Sequence, residues 1–198
     1  LKRVALIVEG HGDVAAVPVL LRRIAAEVAA VRLTEVPRPI RIPRNRIVKE
    51  GEIERAVALA RGLTDPGDGI LILIDADEDC PAQTGPALLA RARACRPERP
   101  VSVVLAKMEF EAWFLAAAES LRGVRGLPQD LAAPPDPEGI RDAKGWLGAR
   151  MPPARRYRET IDQAAMARAF DLAAARRAPS FDKLCRDLDA LLRGAPAP

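Results

Sequence analysis

The stretch Gly69-Ile70-Leu71-Ile72-Leu73-Ile74-Asp75-Ala76-Asp77-Glu78-Asp79 constrains the chain more than any other. Its run of large aliphatics has no polar alternation. This predicts a strand covered on both faces, the central strand of an α/β sheet. The acids follow at the carboxyl end of that strand, where open α/β sheets place their sites. Side chains in extended chain repeat every two residues, so Asp75, Asp77 and Asp79 project to one side. Carboxylates so placed repel one another unless a cation lies among them, and a hard ion such as Mg²⁺ or Mn²⁺ suits oxygen ligands. The same acids would also serve as a solvated loop after a buried strand.

Two further runs repeat the pattern. Val4-Ala5-Leu6-Ile7-Val8 predicts a strand ending in Glu9-Gly10-His11-Gly12-Asp13. Gly10 and Gly12 allow a tight turn and close approach of a phosphate, while Asp13 can cap the next helix. Val14, Val17, Leu20, Leu21 and Ile24 give that helix its apolar stripe, and Pro18 suggests that it starts later than Asp13. Gly10-x-Gly12 lacks the third glycine of a dinucleotide fingerprint. Val101 to Ala106 predicts a third strand, followed by Lys107-Met108-Glu109-Phe110-Glu111-Ala112-Trp113 opening a helix. Glu109 and Glu111 lie about 200° apart on a helix, so the spacing favours Glu109 as the ligand. Strands alternating with helices predict a parallel sheet. Its carboxyl edge then gathers Glu9, Asp75, Asp77 and Glu109 or Glu111.

Between the first two acidic ends lies a segment rich in proline and arginine. Ile40-Arg41-Ile42 and Arg46-Ile47-Val48 read as edge strand, and Arg44 and Arg46 as a phosphate-binding patch or a solvated loop. Helices are expected at Ile53–Ala60 and Gly85–Arg96. Residues 122–158 read as a linker or cap with a short helix near Trp146. Later helices follow caps at Thr160 and Ser180 and pack on the core. The reading is therefore an α/β core over 1–121, a cap and C-terminal helices over 122–193, and a disordered tail over 194–198.

Composition narrows the partners. A net charge of +4 tolerates a polyanion without demanding one. Cys80, Cys95 and Cys185 lie far apart and His11 is the only histidine, which argues against a zinc site and suits a reducing cytoplasm. The first apolar run is too short for a signal segment or a membrane span. Oligomeric state is open at this level.

Val8-Glu9-Gly10 and Asp75-Ala76-Asp77 resemble the glutamate and Asp-x-Asp motifs of the TOPRIM domain in topoisomerases, primases and overcoming-lysogenization-defect nucleases. Lys107 to Trp113 resembles a segment of the nuclease branch. More closely, the chain resembles the bacterial domain of unknown function 4276 family, whose members run V-E-G-x-x-[ED], D-x-D followed by Cys-Pro, E-F-E-A-W and S-F-D-K-L. The last is matched by Ser180 to Leu184.

The resemblance implies a TOPRIM/Rossmann-like, mostly parallel sheet sandwiched by helices, with a helical C-terminal extension. It also implies a Mg²⁺- or Mn²⁺-dependent nuclease. Glu9 is then acid/base or ligand, Asp75 and Asp77 hold the metal, and Asp13, Asp79, Glu109 and Glu111 are further candidates. Lys107 would contact phosphate, and Arg155 and Arg156 would hold a nucleic-acid backbone, DNA ahead of RNA. Asp13 departs from the glutamate of many relatives. The nuclease branch works with an ATPase in phage defence. No G-x-x-x-x-G-K-[ST] is present here, so an ATPase would be a separate partner. A topoisomerase needs a tyrosine, and Tyr157 in its basic stretch reads as packing or stacking. Two other classes stay open: a phosphatase or phosphotransferase with Asp75 as nucleophile and Asp77 as acid, and a non-catalytic metal- or nucleic-acid-binding assembly module.

Overall fold

The structure is a computed structural model that describes residues 2–31, 33–95 and 98–194. The tail expected at 194–198 falls outside them apart from Gly194, a left-handed cap to the final helix. Strands β1 (Lys2–Val8), β2 (Leu33–Glu35), β3 (Ile40–Arg41), β4 (Gly69–Asp75) and β5 (Val101–Ala106) form one parallel sheet. Its order is β2-β1-β4-β5, with β3 also pairing with β1. β1 takes β4 along one edge. Along the other it takes β2 at Lys2 and Arg3 and β3 at Ile7 and Val8. The aliphatic run of β4 lies between β1 and β5, as its lack of alternation requires.

Period-two geometry divides the strands between two cores. Val4, Leu6, Val8, Leu71, Leu73, Val104 and Ala106 face one; Ala5, Ile7, Ile70, Ile72, Ile74, Val103 and Leu105 face the other. The second is covered by α3 (Glu52–Arg61) and α4 (Pro81–Cys95). The first is covered by α1 (Asp13–Glu27), α5 (Ala112–Ala116) and the C-terminal helices α7 (Ala164–Ala169), α8 (Leu172–Ala175) and α9 (Pro179–Arg193). The α5 aromatics anchor that side: Trp113 packs edge-on against Phe181 of α9, and Phe114 against Phe170. The C-terminal helices therefore share the core of the sheet.

Several local expectations give way. Arg44–Ile47 is a short helix, α2, rather than strand; Pro43 sets its first turn. α1 starts at Asp13 despite Pro18, and Asp13 reaches back to the Gly10 N–H (2.7 Å) instead of capping forward. The segment expected to open a helix at Lys107 stays irregular until Ala112, with Met108 in the left-handed region at φ 60°. Ser180 lies inside α9 behind Pro179, and its hydroxyl accepts the Trp113 indole N–H (2.8 Å). The helix expected to follow a Thr160 cap begins as a π-helical turn, Glu159–Gln163, with no side-chain cap, and Ile161 is exposed.

Candidate functional site

The carboxyl ends of β1, β4 and β5 lie in register, with Val8 beside Leu73 and Asp75 beside Ala106. The ladder continues past the regular strands: Ala76 N–H donates to the Ala106 carbonyl, and Asp77 N–H to that of Met108. Asp77 and Met108 both take positive φ, of 50° and 60°. Backbone of this kind costs energy for non-glycine residues and is concentrated at functional sites.

Asp75 is held between two strand ends. Its Oδ1 accepts the Phe110 N–H (2.8 Å), while its own N–H donates to Glu9 Oε2 (3.2 Å). Glu109 and Glu111 then reach the same place. Neither belongs to the body of α5, so the helical argument that separated them does not apply. The meeting point is the Lys144 ammonium, 3.2 Å from Glu109 Oε1, 3.7 Å from Glu111 Oε2 and 3.8 Å from Asp75 Oδ2. Lys144 belongs to α6 (Ala143–Gly148), which Asp142 caps through the Gly145 N–H (2.7 Å). The Lys144 N–H donates to Glu109 Oε2 (3.1 Å), fixing the turn against the acids.

Burial sets the protonation of this cluster. Glu111 is fully buried, and desolvation raises its pKa from the ordinary 4.5 to about 7 against the pull of Lys144 and the Tyr157 hydroxyl. Asp75 is raised well above the usual range by burial first, then by the charges of Glu111 and Asp13. Burial also raises Glu9 and Asp13. Lys144 is driven the other way from what burial alone would do, its ammonium held by Glu111, Asp75 and Glu109. Tyr157 donates to Glu111 Oε1 (2.7 Å), and burial beside that carboxyl suppresses its ionisation. A suppressed phenol makes a poor nucleophile.

The other predicted residues fall around this centre. Asp13 Oδ1 accepts the Gln163 amide (3.0 Å), tying β1's turn to the C-terminal segment. Asp77 and Asp79 turn to Arg44, whose Nε lies 3.6 Å from Asp77 and whose Nη2 pairs with Asp79. Arg46 pairs with Glu52, and Arg155 joins Arg125 on the buried Asp162. Arg156 is exposed and lines a surface cavity with Lys144 and Tyr157. Lys107 stands away from the acids, in a cleft with Ser180 and Glu138. Sequence reasoning thus chose Lys107 where the fold brings Lys144. No spacing rule links Lys144 to acids 33 or more residues earlier. A basic residue directly after an Asp-capped turn was the only local signal.

Gly12 is packed rather than open. A Cβ there would clash with the Gln163 side chain and lie 2.8 Å from the Glu159 carbonyl oxygen. Gly12→Ala should therefore lower stability by about 2 kcal/mol, read as a shift in the urea midpoint at unchanged slope.

Among the described residues, no three His, Cys, Asp or Glu side chains are already gathered to hold a metal ion. The donor chemistry nevertheless fits a hard divalent cation. The set is all carboxylate, Glu111 Oε2 is buried without a hydrogen-bond partner, and a lysine ammonium stands among three of the acids. No helix among the described residues is long and apolar enough to cross a membrane.

No curated protein and no solved structure matches the chain. One family model does, over residues 8–189, a span that takes in Glu9, the β4 acids, Lys144 and Ser180. The chain belongs to the family described as domain of unknown function DUF4276.

Proposed function

We propose that the protein is a divalent-metal-dependent phosphodiester hydrolase of TOPRIM type, acting on nucleic acid, with DNA ahead of RNA. One observation carries the reading: carboxylates delivered by the ends of β4 and β5 converge on a single cation, the Lys144 ammonium, with Glu9 of β1 bonded to Asp75 beside them. Purely structural sheets have no use for buried acids that repel one another. Asp75, Glu109 and Glu111 would hold the metal, with Glu9 and Asp77 beside them. When bound, Mg²⁺ or Mn²⁺ supplies Lewis-acid stabilisation of charge developing on the phosphoryl oxygens.

The chain's own groups supply the rest. Phe110 N–H holds the Asp75 carboxylate and Glu9 accepts the Asp75 backbone N–H, so residue and side chain are each anchored. Glu9, whose carboxyl is raised by burial and which stands beside Asp75, is the candidate acid/base. Lys144, released from the acids, is placed to neutralise a phosphate oxygen. Arg156, exposed beside it, offers a backbone contact. The resemblance to the nuclease branch adds a separate ATPase partner and a role in phage defence to the proposal.

The test is nicking of supercoiled plasmid and cleavage of single-stranded DNA with Mg²⁺ or Mn²⁺, alongside EDTA and Asp75→Asn. Cleavage that needs metal and falls by at least about 100-fold in the variant is the expected result. Phosphate release from p-nitrophenyl phosphate without DNA cleavage would instead support a phosphatase. Inertness in every arm, with no metal binding by calorimetry, would remove the metal mechanism.

A further inference from the structure

A cleft of about 540 Å³ opens beside β5, the last strand of the sheet, between α4 and α9. None of the carboxylates around Lys144 lines it. Pro81, Pro86, Val103 and Leu105 make it largely apolar, and Lys107 and Ser180 add polar groups. The Cys-Pro and Ser-Phe-Asp-Lys-Leu stretches both contribute to its walls, through Pro81, Ser180 and Lys183.

Strand parity sets which backbone groups of β5 face away from β4. Ile70 N–H donates to the Pro100 carbonyl (2.9 Å) and Ala76 N–H to that of Ala106 (2.8 Å). Even-numbered residues of β5 therefore turn their backbone groups to β4, and odd-numbered ones turn theirs outward. The Lys107 N–H follows the rule, donating to Ser180 Oγ (3.2 Å). Val103 and Leu105, which line the cleft, likewise turn their N–H and C=O groups away from β4.

The charges are unevenly spent. Lys183 is paired with Asp187 and Arg186 with Asp182. Glu138 takes both the N–H and the hydroxyl of Ser180, and Asp136 accepts the Gly139 N–H. The Lys107 ammonium makes no hydrogen bond or ion pair to any described residue, and Glu138 feels its charge only at longer range. An apolar chamber of this size, with a few convergent polar groups, is the usual form of a small-molecule site.

We propose that this cleft binds a small organic anion. Its apolar body would lie against Pro81, Pro86 and Leu105, and its acidic group would meet Lys107. The proposal is independent of the hydrolase reading.

Two fluorescent probes test it on the full chain: 8-anilinonaphthalene-1-sulfonate and the uncharged N-phenyl-1-naphthylamine. Saturable binding of one equivalent of each is expected. Lys107→Met should weaken the sulfonate about tenfold, the equivalent of about 1.4 kcal/mol, and leave the neutral probe unchanged. Gly85→Leu should weaken both, because its Cβ would meet Leu105 Cδ1 at an ordinary 3.7 Å and the rest of the side chain would fill the chamber. Ala82→Phe, on the exposed first turn of α4, blocks the same space should Gly85→Leu lose its native circular dichroism. Unsaturable binding, or equal binding to the filled variants, would overturn the site.

Discussion

In metal-free buffer the protein loses stability as pH rises from about 4.5 to 7, and Glu111→Gln removes much of that loss. A carboxyl whose pKa is higher folded than unfolded takes up a proton on folding. Its contribution is thus complete below the unfolded value and is lost as pH climbs through the folded one. For Glu111 the rise from 4.5 to about 7 corresponds to about 3 kcal/mol. Asp75, Glu9 and Asp13 are raised by burial and act with the same sign. The lowered acids, among them Glu54 beside Arg91 and Asp182 beside Arg176, act oppositely and only at lower pH. The amide oxygen introduced by Glu111→Gln can still accept the Tyr157 hydroxyl, so the variant isolates the charge. Denaturation midpoints at about pH 5, 6, 7 and 8 span the transition. Parallel curves for the two proteins would show that Glu111 does not titrate in this window.

Lys144→Met at about pH 8 destabilises the fold by about 2 kcal/mol. This is less than the roughly 3–5 kcal/mol expected for breaking a fully buried pair, because about a third of the Lys144 side chain is exposed. The variant leaves Asp75, Glu109 and Glu111 without their shared counter-ion. Its deficit should shrink toward about pH 5 as Glu111 protonates. If the proposed metal binds among the same carboxylates, Mg²⁺ should raise the melting temperature of Lys144→Met more than that of the wild type. A deficit unchanged by both acid and Mg²⁺ would assign Lys144 a packing role only.

Much of this molecule was legible because its strongest signals are local. The aliphatic runs of β1, β4 and β5 fix their burial, and the stripes of α1 and α3 fix theirs, with Val17, Leu20, Leu21, Ile24, Ile53 and Val57 all inward. The placing of acids at strand ends followed from the sheet being parallel. Where tertiary contacts outweighed local preference, the reading failed. Leu33–Glu35 was missed because three residues carry too little periodicity. Arg46-Ile47-Val48 resembles an edge strand, but its first two residues belong to the short helix Arg44–Ile47, which carries Arg44 to Asp77 and Asp79. Glu111 ranks below Glu109 by a helical rule that does not hold before Ala112. Tyr157 packs against the core, as the packing-or-stacking reading expects, and its hydroxyl in addition meets a fully buried acid. Lys144 has only a faint local signal, because its role depends on where a proline-rich segment comes to rest.

That last point changes what the C-terminal third of the chain is for. Lys144, Tyr157 and Gln163 each touch an acid delivered by the sheet half, and the helices beyond them close the same core as β1 and β4. The division near residue 121 is therefore one of topology and not of labour. The acids gathered at the carboxyl edge of the sheet receive from the later segment the ammonium of Lys144, the hydroxyl of Tyr157 and the amide of Gln163.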